Sequence, residues 1–335
     1  MAETWTIRRV LDWTRGYLER HGDEHPRLSA DWLLSAATDY SRVELYLNYD
    51  KPLTKEELAK VRAGIERRAK GEPLQYVTGE MPFRHIVLRC ERGVLIPRPE
   101  TEVLVDAALE GVDAALARRE VELADAHGER EDANPDEEAS PDEDANPDED
   151  ADPDGRKHAS PAVRVLDLCT GTGCIACSIA SERDFTQVVA TDISQKAVAL
   201  ATRNADALGL AERLEILCCD LATDVDEGLL GTFDLLVSNP PYIPPAVLPT
   251  LPEEVVGFEP SLALDGGADG LDLFRRILDL APVALASGGM LAVELFEENV
   301  HAAADLCREQ GGWAHVEVRE DLTHRPRVLV AVREG

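Results

Sequence analysis

The stretch VRVLDLCTGTGCIACSIA, Val163 to Ala180, decides the fold. Val163, Val165, Leu166 and Leu168 read as a buried strand, Gly171 and Gly173 mark a sharp turn, and the small and apolar residues from Cys174 onward suit a helix packed on a sheet. Glycine at such a turn admits positive φ and lets backbone amides approach a ligand closely. Further strand-like runs follow: QVVATDI, LEILCCD, FDLLVSN, GMLAVEL, AHVEVRE and RVLVAVR. Helical patterns separate these runs except between LEILCCD and FDLLVSN and between the last two. The alternation predicts an α/β fold with a seven-stranded, doubly wound, mostly parallel sheet closed by an antiparallel hairpin.

Chemistry is expected at the strand ends. Asp192, just past the second strand, suits the two hydroxyls of a ribose, and Asp220, at the end of the third, suits an adenine amino group. No GxxxxGK[ST] is present, and the turn lacks the third glycine of a nicotinamide fingerprint, so an adenosyl ligand is expected. The fourth strand runs into Asn239-Pro240-Pro241-Tyr242. The Asn239 side chain offers an oxygen acceptor and an NH2 donor, and Pro-Pro leaves the Pro240 carbonyl without neighbouring N–H groups to pair it away. Two acceptors gripping a planar NH2 aim its lone pair at an electrophile, and Tyr242 supplies a face for the planar group. Such positioning is worth roughly 7–11 kcal/mol without any strong base. The pattern points to methylation of a planar nitrogen by S-adenosylmethionine.

SNPPY, together with DLCTGTGC, PLQYVTGEMPF, LIPRPETE and EPSLALDGGADGL, resembles the release-factor glutamine methyltransferase family over nearly the whole chain. NPPY alone is shared with adenine-specific DNA methyltransferases; PRPETE and LDGG-DGL are more specific. The resemblance implies a Rossmann-like class I methyltransferase that methylates the side-chain nitrogen of the glutamine in the Gly-Gly-Gln motif of peptide-chain release factors. It implies a cofactor loop of Cys169, Thr170, Gly171, Thr172 and Gly173, with Asp192 on the ribose, the Asp220-Leu221 pair beside adenine, Asn239 adjoining the cofactor, and Asn239, Pro240, Pro241 and Tyr242 holding the glutamine. Arg98, Glu100 and Thr101 would shape the methionine end. The chain departs from the family where Cys169 and His324 replace glycines and where VELFEENV lacks the Gly and Gln expected after Glu294.

Three units are expected: a helical substrate-recognition domain over 1–72, a β-hairpin connector over 73–97, and the methyltransferase domain over 98–335. A disordered acidic insert would interrupt the last at about 125–160, where a six-residue repeat carries one Pro per unit and no large apolar residue. In the first unit, Trp5, Val10, Trp13 and Tyr17 recur at helical spacing, Leu28, Trp32, Leu33 and Ala36 do so again, and a capping box at Thr54 opens a third helix. The tryptophans are expected in its core. From Gln75 to Pro97 the runs read as β.

Net charge is −31; residues 129–154 hold 14 acidic residues and one Arg, leaving −18 on the remainder. So acidic a body gives no footprint for a nucleic-acid backbone. No direct nucleic-acid binding is therefore expected, which weighs against the alternative of an adenine N6 methyltransferase on DNA or RNA. An inactive methyltransferase fold recruiting basic partners is the other rival. Seven cysteines without scaffold spacing, and no membrane-spanning run, suggest a cytoplasmic protein, expected to be a monomer. Cys174-x-x-Cys177 has zinc-like spacing but no second ligand pair, so no metal is expected.

Overall fold

The structure, a computed structural model, describes residues 4–131 and 162–335. The acidic repeat falls outside these residues. Five helices come first: α1 Ile7–Arg20, α2 Pro26–Thr38, α3 Arg42–Leu47, α4 Lys55–Arg68 and α5 Leu74–Thr78. Thr54 and Glu57 form the capping box of α4, and Ser41 and Glu44 form another on α3. The buried face of α1 is Ile7, Val10, Leu11, Thr14 and Leu18, rotated from the expected tryptophan stripe.

The tryptophans are not core residues. Trp5 and Trp32 are half-buried and Trp13 is 46% exposed. Trp13 stacks on Tyr17 with centroids 5.0 Å apart, while aliphatic side chains such as Ile7, Leu18, Leu34 and Leu45 fill the interior. Large rings on the flank of a narrow apolar stripe cover the seam between helices without entering it.

The hairpin pairs β1 Glu80–Phe83 with β2 Ile86–Arg89 in antiparallel register. It is shorter than the expected β region, because Leu74–Thr78 is helical and Val94–Pro97 joins no strand. α6 then runs Thr101–Glu131, into the segment expected to open the insert.

The main sheet holds β3 Val163–Leu168, β4 Thr186–Asp192, β5 Leu214–Cys218, β6 Phe233–Ser238, β7 Leu285–Glu294, β8 Trp313–Glu320 and β9 Pro326–Arg333, ordered β5-β4-β3-β6-β7-β9-β8. Every pairing is parallel except those of β9. The helices α6, α7 Cys174–Glu182 and α8 Gln195–Ala207 contribute to the core on one face, and α10 Asp272–Ala284 and α11 Val300–Gln310 to that on the other; α9 Glu253–Phe258 lies in the β6–β7 connection. β6 is buried throughout, as a central parallel strand must be. Full burial of Phe233, Leu235, Leu236 and Val237 stabilises the fold by about 1.5–3 kcal/mol each. Its one charge, Asp234, is met by Arg119 at 2.8 Å and by the Arg164 N–H at 2.8 Å.

Two polar anchors fasten the hairpin to this sheet. Arg84 bonds Glu182 at 2.7 Å and Asp106 at 2.6 Å. Buried Asn204 accepts from the Arg89 N–H at 2.8 Å and donates to the carbonyls of Arg89 and Thr172. Among the described residues, no helix is long and apolar enough to cross a membrane.

Candidate active site

Chain direction over the sheet reverses between β3 and β6, and a crevice opens there at the strands' carboxyl ends. The cavity measures about 680 Å³. Its walls are the loop after β3, the ends of β4, β5 and β6, residues 93–98 with Thr101, and residues 260–267 with the start of α10.

Among the residues expected to hold ligands, Cys169 to Thr172, Asp192, Asp220, Leu221, Asn239 and Pro241 line this cavity. Gly173, Pro240 and Tyr242 do not line it. Cys169 and Leu221 adopt φ of 61° and 52°. Two non-glycine residues in the left-handed region on one cavity wall mark backbone held against its preference, at roughly 1–3 kcal/mol each. Gly173 caps α7 at φ 80°, where an added Cβ would lie 3.2 Å from Ala201 Cβ, so glycine also permits the close approach of α8.

Asp192 is the last residue of β4 rather than one beyond it. Its Oδ1 accepts from the Ser194 N–H at 2.8 Å and its Oδ2 from the Gly171 N–H at 3.0 Å. Burial raises its pKa, against those two bonds. Each oxygen retains capacity for one more donor. Asp220 lies two residues past β5 and is not free: Arg276 on α10 bonds it at 2.8 Å. Sequence reasoning missed Arg276 because only the fold brings α10 across this wall. Asp167, fully buried beneath the loop, was not singled out either. Burial pushes its pKa up to about 7, opposed by bonds from the Thr170 hydroxyl and the Ala176 N–H and reinforced by the charge of Asp192.

The NPPY segment is fixed at both ends. The Ser238 hydroxyl bonds the Leu168 carbonyl, the Asn239 NH2 donates to Thr101 Oγ1 at 3.1 Å, and the Tyr242 hydroxyl donates to Glu294 Oε1 at 2.9 Å. Burial and the charge of Glu294 hold the tyrosine proton well past its ordinary range. Among the described residues, nothing donates to Asn239 Oδ1 or to the Pro240 carbonyl. Behind Tyr242, the Ile243 N–H donates to the Leu264 carbonyl at 2.8 Å and the Ile243 carbonyl accepts from the Gly266 N–H at 3.0 Å. The Arg98–Glu259 pair at 2.5 Å ties the 93–98 wall to the loop after α9.

Cys174 and Cys177 are buried free thiols on α7, and among the described residues no cluster of His, Cys, Asp and Glu could hold a metal.

A seven-stranded sheet in this order, with its crevice between β3 and β6 and NPPY closing it, defines a class I methyltransferase fold. Residues 9–79 match the family model described as PrmC N-terminal domain, and residues 157–247 match methyltransferase small domain. Release factor glutamine methyltransferases are similar along nearly the full length. The protein of Geobacter sulfurreducens is 42% identical, covering 88% of this chain and 85% of its own. Those of Rhodopirellula baltica and Chlorobaculum tepidum are 33% and 34% identical, covering 98% of this chain and 98% and 97% of theirs. The chain belongs to the release factor glutamine methyltransferase family.

Proposed function

We propose that the chain methylates the side-chain amide nitrogen of the glutamine in the Gly-Gly-Gln motif of peptide-chain release factors. The carrying observation is the pair of acceptors at the end of β6. Asn239 commits its NH2 to Thr101, so its oxygen is left for a donor, and the next carbonyl, that of Pro240, is unclaimed. A planar NH2 bonded by both is held still, and Tyr242 offers it a flanking ring. Among the described residues no base strong enough to remove an amide proton adjoins it, so positioning carries the rate enhancement.

The cavity fits S-adenosylmethionine: Asp192 keeps acceptor capacity, and the strained turn after β3 presents backbone at close range. When bound, that cofactor supplies an electrophilic methyl group. Asp192 would hold the ribose, the Cys169–Gly173 turn the amino-acid portion, and Leu221 with Asp220 the adenine edge, Asp220 while still paired to Arg276. Helices α1–α5 would recognise the body of the release factor, since a Gly-Gly-Gln loop alone is short and generic. The acidic body and the family relatives favour glutamine over adenine as acceptor.

Asn239→Ala tests the reading. Turnover on a release factor should fall by roughly two to three orders of magnitude, as when one positioned polar group is removed from an active site. Cofactor affinity, measured by calorimetry, should suffer much less. Near-normal turnover sinks the assigned role.

A further inference from the structure

We infer that Arg276 is a positioning residue that fixes the Asp220 carboxylate, so that this end of the cavity accepts a 6-aminopurine and refuses a 6-oxopurine. This rests on the S-adenosylmethionine reading above and deepens it by naming what selects the base. The identity of the methyl acceptor does not enter. Arg276 sits on α10 between two anchors, Phe274 and Ile277, which are 1% and 0% exposed and hold the backbone that carries it. An acid on its own helix, Asp272, lies one turn back at the usual spacing for a helical ion pair. Asp272 instead meets Arg275, and the Arg276 Nη2 crosses to Asp220 Oδ2, 56 residues away, at 2.8 Å. The side chains of Arg276 and Asp220 are 52% and 44% exposed, and so exposed a pair adds little stability. Both residues line the cavity, which puts their bond where a ligand is met.

The edge fixed in this way has a polarity. Arg276 takes Asp220 Oδ2, and among the described residues nothing donates to Oδ1. Leu221, the next residue, lines the same wall at φ 52°, and among the described residues its N–H meets no acceptor. An acceptor beside a donor matches the edge of adenine, where an NH2 stands next to a bare ring nitrogen. Hypoxanthine reverses both groups, with a carbonyl next to a ring N–H. A site built to hydrogen-bond one pattern is left with unpaired groups by the other. The Cys219 N–H bonds the Asp192 carbonyl at 3.1 Å, so this edge continues the wall assigned to the ribose.

Neither side chain serves alone. A half-exposed aspartate without a partner turns among rotamers and out into solvent, so the acceptor is present only part of the time. A guanidinium only donates, and an unpaired Arg276 on this wall would offer its N–H groups to a carbonyl on the base. Pairing cures both faults, because it holds one carboxylate oxygen and leaves the other as the group the base meets.

The test needs no turnover. Calorimetry on the full chain gives the affinity for S-adenosylhomocysteine and for its 6-oxo counterpart, S-inosylhomocysteine, and the readout is their ratio. Wild type should prefer the amine by roughly 10²-fold, with two groups mismatched in the rival. Arg276→Met keeps the stem, removes the donors, and should cut that preference by about tenfold; Arg276→Lys, which still donates one charged bond, should retain most of it. Asp220→Asn gives the sharper outcome. Arg276 requires an oxygen, so the amide turns its NH2 to the base and the preference collapses. Adding Arg276→Met to Asp220→Asn frees the amide to flip, and the preference for the amine should rise again. Removing Arg276 therefore acts with opposite sign in the two backgrounds, which a merely structural role would not produce. Thermal unfolding checks that each variant is folded. A ratio unchanged in Arg276→Met, or one that moves the same way in both backgrounds, would overturn the inference while the cofactor reading stands. Wild type that binds neither nucleoside would overturn both.

Discussion

Replacing Gly266 by alanine perturbs the site through the backbone of Tyr242, leaving the NPPY side chains themselves unaltered. A Cβ at Gly266 would lie 2.5 Å from Tyr242 Cα, 2.7 Å from the Tyr242 carbonyl carbon and 2.9 Å from Gly270 Cα. Ordinary contact begins at 3.4 Å, so the closest approach is short by 0.9 Å. All three atoms are backbone, and none can swing aside as a side chain would. The 264–266 strip is bonded to Ile243 on both sides, and Tyr242 is held through its hydroxyl. Relief must therefore move NPPY relative to the cavity by nearly 1 Å. A misplacement of that size costs about 10²-fold in rate, and overpacking costs about 1–3 kcal/mol of stability. Steady-state methyl transfer to a release factor, alongside cofactor affinity and thermal unfolding, measures all three effects. The expected pattern is a large fall in kcat, near-normal cofactor affinity and a modest loss of stability. Gly257→Ala is the control, since nothing lies within 4 Å of its added Cβ. Turnover of Gly266→Ala within about threefold of wild type would refute the claim that this contact positions the site.

Asp167 makes the stability pH-dependent. Its pKa is raised from an ordinary 3.8 to about 7, so the native state binds its proton more tightly than the unfolded chain does. This contribution is favourable at low pH and is lost as pH climbs from 3.8 to about 7, by roughly 4 kcal/mol at most. Asp167→Asn never ionises, so its melting temperature should gain on wild type between pH 5 and pH 8; a difference flat with pH would contradict this. Asn204→Leu removes the bonds joining β2 to the cofactor-side turn and strands the Arg89 N–H, at about 1–3 kcal/mol. Chemical denaturation should show that loss with activity per folded molecule largely kept.

The sheet was legible because its strands are apolar runs buried on both faces, punctuated by glycines and strand-end acids. Val163–Leu168 and Phe233–Ser238 are almost wholly buried. The first seventy residues were less legible. α3 spans six residues, too few for a periodic pattern, and the tryptophan spacing traced the flank of α1 rather than its inner face. Within the site, NPPY and the β3 turn announced themselves locally, but their supports did not. Thr101 lies 138 residues from Asn239 and Glu294 lies 52 from Tyr242, and nothing short of the fold joins them. The LDGGADGL segment shows the same limit. Its sequence marked it as distinctive, while its contact with the back of Tyr242 is visible only in three dimensions.

The most direct measurement of the central claim supplies labelled S-adenosylmethionine, a release factor, a variant with alanine in place of the Gly-Gly-Gln glutamine, and adenine-containing DNA and RNA, with the label mapped by mass spectrometry. The account predicts one methyl group on that glutamine's side-chain nitrogen and none on the variant or the nucleic acids. Label on adenine, or methylation that persists in the variant, would contradict it.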